Sequence, residues 1–185
     1  LHFVFDTKLY PLVRTSWEGL ACWNYSPCIY AYKATDIAIT GKGTIDGGGS
    51  NKTWWPMVGK AMFGYKEGIT KEAQNLGSRA KLLKQAEDGV EFDQRKFGLG
   101  QGLRPQLINF VRSERILIKD VTLLNSPFWV IHPLLCKNIT VSGVTIYNEG
   151  PNGDGCDPES CENVLIENCL FHTGDDCIAI KSGRN

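Results

Sequence analysis

The feature that most constrains this chain is a motif that returns at a nearly fixed interval. Asn138-Ile-Thr-Val-Ser-Gly-Val-Thr-Ile146 aligns without gaps on Arg115-Ile-Leu-Ile-Lys-Asp-Val-Thr-Leu123 and on Asn163-Val-Leu-Ile-Glu-Asn-Cys-Leu-Phe171, and Asp36 to Ile45 matches with one extra residue. The three gapless copies start 23 and then 25 residues apart. Each reads apolar, any, apolar, then a two-residue polar corner, then a second short apolar strand. The period inside a strand is therefore 2 and never 3.6. A unit this short cannot bury its apolar face alone, so copies must stack. The arrangement predicts an all-β fold, a single-stranded right-handed parallel β-helix whose coils lie about 4.8 Å apart. Ile116, Ile139 and Val164 then form one buried column. A β-sandwich would show hairpin turns in place of a constant register.

Composition narrows the function classes. The 185 residues carry 20 Lys+Arg against 20 Asp+Glu, so the formal net charge is zero, and no basic surplus suits a nucleic-acid partner. Twenty glycines and eight prolines favour many turns over long helices. No apolar run approaches the length of a membrane span, and the first residues show neither a basic region nor a cleavage site. Seven cysteines form no Cys-x-x-Cys pair and match no zinc spacing, so we read them as small buried side chains, with the disulfide pattern open.

The organisation expected is one parallel β-helix domain over residues 1–185, with a helical and loop insertion at about 57–100. Lys71-Glu-Ala-Gln-Asn-Leu and Ala80-Lys-Leu-Leu-Lys-Gln-Ala-Glu are helix formers, Gly98 to Gly102 reads as a loop, and coiling resumes near Arg104-Pro105. Lys181 to Asn185 follows a strand without a polar cap and Leu1 starts abruptly, which predicts a longer solenoid truncated at both ends.

A second register carries the chemistry. His132, Asp154 and Asp176 lie 22 residues apart in succession, and equal spacing in a solenoid predicts stacking, with Asp175 beside Asp176. Carboxylates brought within a few ångströms repel, so one is expected to keep its proton, the asymmetry that acid–base catalysis uses. An Asp in Gly-Asp-Gly or Gly-Asp-Asp alone is commonly a turn residue; coincidence on one register favours a site. Asn152, Asp154 and Asp157 form only half of a calcium loop, without the bidentate Glu. His132 in Ile-His-Pro either caps a strand or touches a ligand. Trp54-Trp55 beside Gly47 to Gly49 reads as core before it reads as a sugar platform.

At these residues the chain resembles the polygalacturonases, glycoside hydrolase family 28. The resemblance is carried by Gly43-Thr-Ile-Asp-Gly-Gly-Gly-Ser-Asn-Lys-Thr-Trp-Trp55, Asn125-Ser-Pro-Phe-Trp-Val-Ile-His-Pro133, Asn152-Gly-Asp-Gly-Cys-Asp157 and Thr173-Gly-Asp-Asp-Cys-Ile-Ala-Ile-Lys-Ser-Gly183. It implies a parallel β-helix that hydrolyses galacturonosyl linkages of pectin with inversion and without a metal or other cofactor. Asp175 is then the general acid, Asp154 and Asp176 position the water, and His132, Asn152 and Lys181 are the substrate contacts. The insertion and the Ile-His-Pro segment look more like bacterial members, often exo-acting. Gly153 stands where the family usually has Thr or Asn, and the family's Gly-His-Gly and Arg-Ile-Lys motifs are absent and expected beyond Asn185. The partner implied is a pectic polysaccharide or oligosaccharide, in a secreted or periplasmic setting, with no nucleic acid, no membrane span and an open oligomeric state. The alternatives are a hydrolase of another pectic linkage such as rhamnogalacturonan, a non-catalytic polysaccharide-binding β-helix, and a calcium-dependent lyase on the same fold.

Overall fold

A computed structural model describes residues 1–5, 10–70 and 77–184. The repeats form three parallel stacks. The first contains β3 (Ile29–Tyr32), β7 (Ile108–Val111) and β10 (Ile131–Leu134). The second contains β4 (Thr35–Thr40), β8 (Glu114–Lys119), β11 (Lys137–Ser142) and β13 (Glu162–Glu167). The third contains β5 (Thr44–Asp46), β9 (Thr122–Leu124), β12 (Thr145–Asn148) and β14 (Leu170–Thr173). Successive strands of the chain step from one stack to the next, and every pairing within these stacks is parallel. The result is the parallel β-helix expected from the repeats.

The register follows the motif alignment. Ile37, Ile116, Ile139 and Val164 are paired across the second stack, as are Ile39, Ile118, Val141 and Ile166. Ile116, Ile118, Ile139 and Val141 are buried, whereas Leu117 and Thr140 between them are only partly covered, because successive side chains of a strand leave opposite faces. One contiguous core of such columns runs up the solenoid.

The corners explain the polar doublets in each repeat. Asp36, Arg115, Asn138 and Asn163 all adopt left-handed backbone, φ 56° to 58°, at the same step of four successive coils. Asn and Asp tolerate this region because their side chains make local polar contacts. Here they also bond between coils: Asn163 Nδ2 donates to Asn138 Oδ1 at 3.0 Å, and Arg115 grips both carboxylate oxygens of Asp36 at 2.7 and 2.9 Å. A second left-handed column holds Asp120, Gly143 and Asn168, the second member of each polar doublet.

Several described elements stand outside the coils. β1 (Leu12–Trp17) and β2 (Leu20–Tyr25) form an antiparallel hairpin that lies outside the repeats. Its two-residue turn is Glu18-Gly19, both with positive φ (47° and 82°), the geometry that matches strand twist and that glycine supplies without strain. Short β6 (Lys96–Phe97) extends this sheet beside β2. The helix α1 (Arg79–Glu87) occupies the segment read as helix-forming at Ala80 to Glu87, while the Lys71 to Leu76 segment lies outside the described residues. Leu82 of α1, Trp17 and Leu20 of the hairpin, and Phe128 and Trp129 of the third coil share a second apolar cluster. Hairpin and helix are thus packed against the residues leading into β10. Trp54 is fully buried with Phe3 and Met57, which settles it as core.

The register makes a stability prediction. Truncating Ile139 to Ala removes atoms from the buried column and should cost about 2–5 kcal/mol. Thr140→Ala, on the opposite face, should cost about 0.5 kcal/mol or less. Denaturant melts that showed equal losses would contradict the pairing.

Candidate active site

The segment between β12 and the fourth coil carries Asn152 and Asp154, and its path is fixed by buried contacts. Gly150 lies against the indole of Trp55, where a Cβ would come within 2.4 Å of Nε1, so the chain can pass there only without a side chain. That Nε1 donates to the carbonyl of Ser126 at 3.0 Å. Arg104 is wholly buried and donates to the carbonyls of Pro127 (2.9 Å) and Pro151 (2.6 Å) and to Asn152 Oδ1 (2.8 Å), its guanidinium over the Phe128 ring. A charge-assisted fork on three acceptors ties two turns into one wall. In the sequence Arg104 reads only as the point at which coiling resumes.

The expected ladder of His132, Asp154 and Asp176 is corrected at its first rung. Val130 N–H donates to Asp154 O and Gly155 N–H to Asp176 O, at 2.9 Å each, so the tier across from Asp154 holds Trp129 on one side and Asp176 on the other. The bridge pairs Ile131 with Cys156 and Cys156 with Ile178, 25 and then 22 residues apart, which sets His132 across from Asp157. His132 is also fully buried and does not line the cavity that the other candidates share. Asn109 Nδ2 donates to its Nδ1 (3.1 Å), which leaves the proton on Nε2 facing Glu159 Oε2 at 2.9 Å. Ser16 and Thr15 of the hairpin complete this buried network by bonding Glu159 and Asn109. Glu159 had no sequence signal beyond Asp-Pro-Glu.

Four of the five other candidates line one open cavity of about 460 Å³. Asn152, Asp154, Asp175 and Lys181 line it with Trp129, while Glu18 of the hairpin turn and Arg79 of α1, paired at 2.8 Å, stand at its margin. Asp176 is exposed and is not among the lining residues; its N–H donates to Asp175 Oδ1 at 3.1 Å. Asp154 is only 4% exposed, and behind it Asp157 is fully buried. Lys181 Nζ lies 3.4 Å from Asp154 Oδ2 and 3.1 Å from Asp157 Oδ1. Burial pushes Asp154 above the usual carboxylate range, with the nearby charge of Asp175 adding to it; the neighbouring Asp157 carboxyl and the charge of Lys181 oppose. Burial, then the charge of Asp154, pushes Asp157 up to about 9, against Lys181. The pair behaves as two carboxyls that hold one proton between them, with the deeper member favoured to carry it.

A raised carboxyl pKa means that the folded state binds more protons than the unfolded one between about pH 4 and pH 9, so Asp157 favours folding below that window and progressively less across it. Asp157→Asn, which cannot ionise, should therefore flatten the fall in Tm from pH 5 to pH 9 relative to the parent protein. Parallel curves in thermal melts would show that Asp157 does not titrate in this window.

The coils that carry this site have counterparts in known proteins. The model of glycosyl hydrolases family 28 matches residues 93–185, just over half of the chain. A probable polygalacturonase of Vitis vinifera is 35% identical over 166 residues, which is 88% of this chain and 26% of that protein. Among solved structures, a hyperthermoactive exopolygalacturonase from Thermotoga maritima is 44% identical with a TM-score of 0.95, covering 100% of this chain and 42% of its own. The polygalacturonase from Erwinia carotovora ssp. carotovora is 26% identical with a TM-score of 0.61, over 97% of this chain and 42% of its own. The chain thus spans well under half the length of these relatives. With fold, site segments and family match all falling on the same coils, the chain belongs to glycosyl hydrolases family 28.

Proposed function

We propose that this chain carries the carboxylates of a hydrolase that cleaves galacturonosyl linkages of pectin, by inversion and without a metal or cofactor. The observation that carries the reading is that Asp154 and Asp175, from successive coils, line one open cavity in different settings, Asp154 buried beside a lysine and Asp175 exposed. Asp175 is assigned as the general acid on the leaving oxygen. Asp154 and Asp176, which stand across from each other in register, are assigned to the attacking water. Asn152, held by Arg104, faces the same cavity as a substrate contact. The printed names of the relatives, polygalacturonase and exopolygalacturonase, support the substrate class. Pectin is an extracellular polymer, so we place the protein outside the cytoplasm. We treat residues 1–185 as one solenoid unit whose segment at about 57–100 departs from the coils.

The reading is tested on the full-length protein with polygalacturonate and defined oligosaccharides. Asp175→Asn should lower kcat by roughly 10²–10⁴, the usual contribution of a general acid, with Tm little changed. Proton NMR of the first product should show the inverted anomer. Retention of configuration, activity within about a factor of two of the parent, or an ultraviolet-absorbing unsaturated product would each overturn it. Binding without turnover would point to the polysaccharide-binding alternative, and turnover of rhamnogalacturonan alone to the other linkage.

A further inference from the structure

Lys181 is held from three sides. Its Nζ lies 3.1 Å from Asp157 Oδ1, 3.4 Å from Asp154 Oδ2 and 4.1 Å from the centre of the Trp129 ring. Its backbone is fixed as well: its N–H donates to Pro158 O at 2.9 Å, and its carbonyl accepts from Ser160 N–H at 2.8 Å. Trp129 is set by stacking on Phe128 (4.9 Å) and by the edge contact with His132 (5.1 Å), a ring locked in turn between Asn109 and Glu159. The lysine side chain is 23% exposed, against 6% for Asp154 and 0% for Asp157. An ammonium bracketed by two carboxyl groups and an aromatic face has little room left for a further anion.

We propose that Lys181 is a positioning residue, whose ammonium, anchored by Asp157 and Trp129, keeps Asp154 an ionised base within its buried wall. The proposal rests on the function argued above, in which Asp154 must accept a proton from water. Burial by itself would make Asp154 a proton donor, the wrong role for that site. The charged groups that face Asp154 are Asp157, Asp175 and Lys181, with the Glu18–Arg79 pair and Arg184 at the cavity margin. Lys181 is the only cation among them in contact with Asp154 in the described residues. The ammonium itself stays charged: burial works against it, but the two carboxylates outweigh that effect and raise its pKa. Trp129 adds a cation–π contact that leaves both carboxylates free to pair.

The test compares full-length parent, Lys181→Met and Lys181→Arg. The acid limb of kcat/KM on polygalacturonate reports the base of the free enzyme, and it should move up by about 1–2 pH units in Lys181→Met. KM should change little, and Lys181→Arg should return the limb most of the way. A Lys181→Met variant with raised KM and an unmoved limb would show that Lys181 grips the substrate instead and would overturn the proposal. If the methionine variant does not fold, Lys181→Gln serves the same comparison. Carbon-13 titration of Asp-labelled protein gives a readout independent of turnover, with the Asp154 signal identified by its loss in Asp154→Asn. An upward shift in Lys181→Met supports the link even if the parent proved inactive on pectic substrates, which would overturn only the proposed function. An unshifted Asp154 signal overturns the link itself.

Discussion

Every feature of this molecule depends on the hydrogen-bond ladder between coils. A short strand in a solenoid has no partner within its own repeat, so its N–H and C=O groups must be met by the coils above and below. That requirement makes the register rigid: Ile116, Ile139 and Val164 cannot slip by one residue without turning a whole column toward solvent. It also transmits position outward. Once β10 is aligned on β7, Trp129 and His132 have no freedom in height, and the bridges through Cys156 and Ile178 place Asp154, Asp157 and Lys181 to the same standard.

The site uses that rigidity to keep charge where it is expensive. Two almost wholly buried carboxyl groups and one largely covered ammonium crowd together at the cavity wall, an arrangement whose desolvation cost is offset only by close pairing. A loop would relax to relieve the crowding of Asp154 and Asp157. Here both are borne by a segment tied by Arg104 at Pro151 and Asn152 on one side and by bridging backbone at Glu159 on the other, so the crowding persists as a biased protonation.

The coils were legible because a period-2 pattern repeated at coil length leaves almost no other way to bury the apolar positions. The polar doublets were legible too, since the Asp, Asn and Gly found there are the residues that suit left-handed corners. The rung at His132 was not. Counting 22 residues backward from Asp154 treats two coils as equal, yet the step from Leu134 to Glu159 is 25 and from Glu159 to Lys181 is 22. Sequence spacing does not reveal where extra residues are spent, and here they fall in the turn before Asp154, pairing that residue with Trp129 instead. Glu159 and Arg104 carry no sequence signal, and Asp157 reads there only as part of a half calcium loop, for a related reason: their importance lies in burial, and burial of a charged residue leaves no periodic trace. The hairpin β1–β2 leaves no such trace either, because nothing in its residues repeats.

That hairpin changes the mechanics of the solenoid. Coils that touch only their neighbours can peel from an end one at a time, with a stability close to a sum of local terms. Strand β1 instead runs across the stack, bonding Asn109 through Thr15 and Glu159 through Ser16, while Gly19 O accepts the N–H of Arg184. It acts as a strap over several tiers, so that lifting one coil strains attachments on the others and fraying is replaced by a shared, cooperative opening.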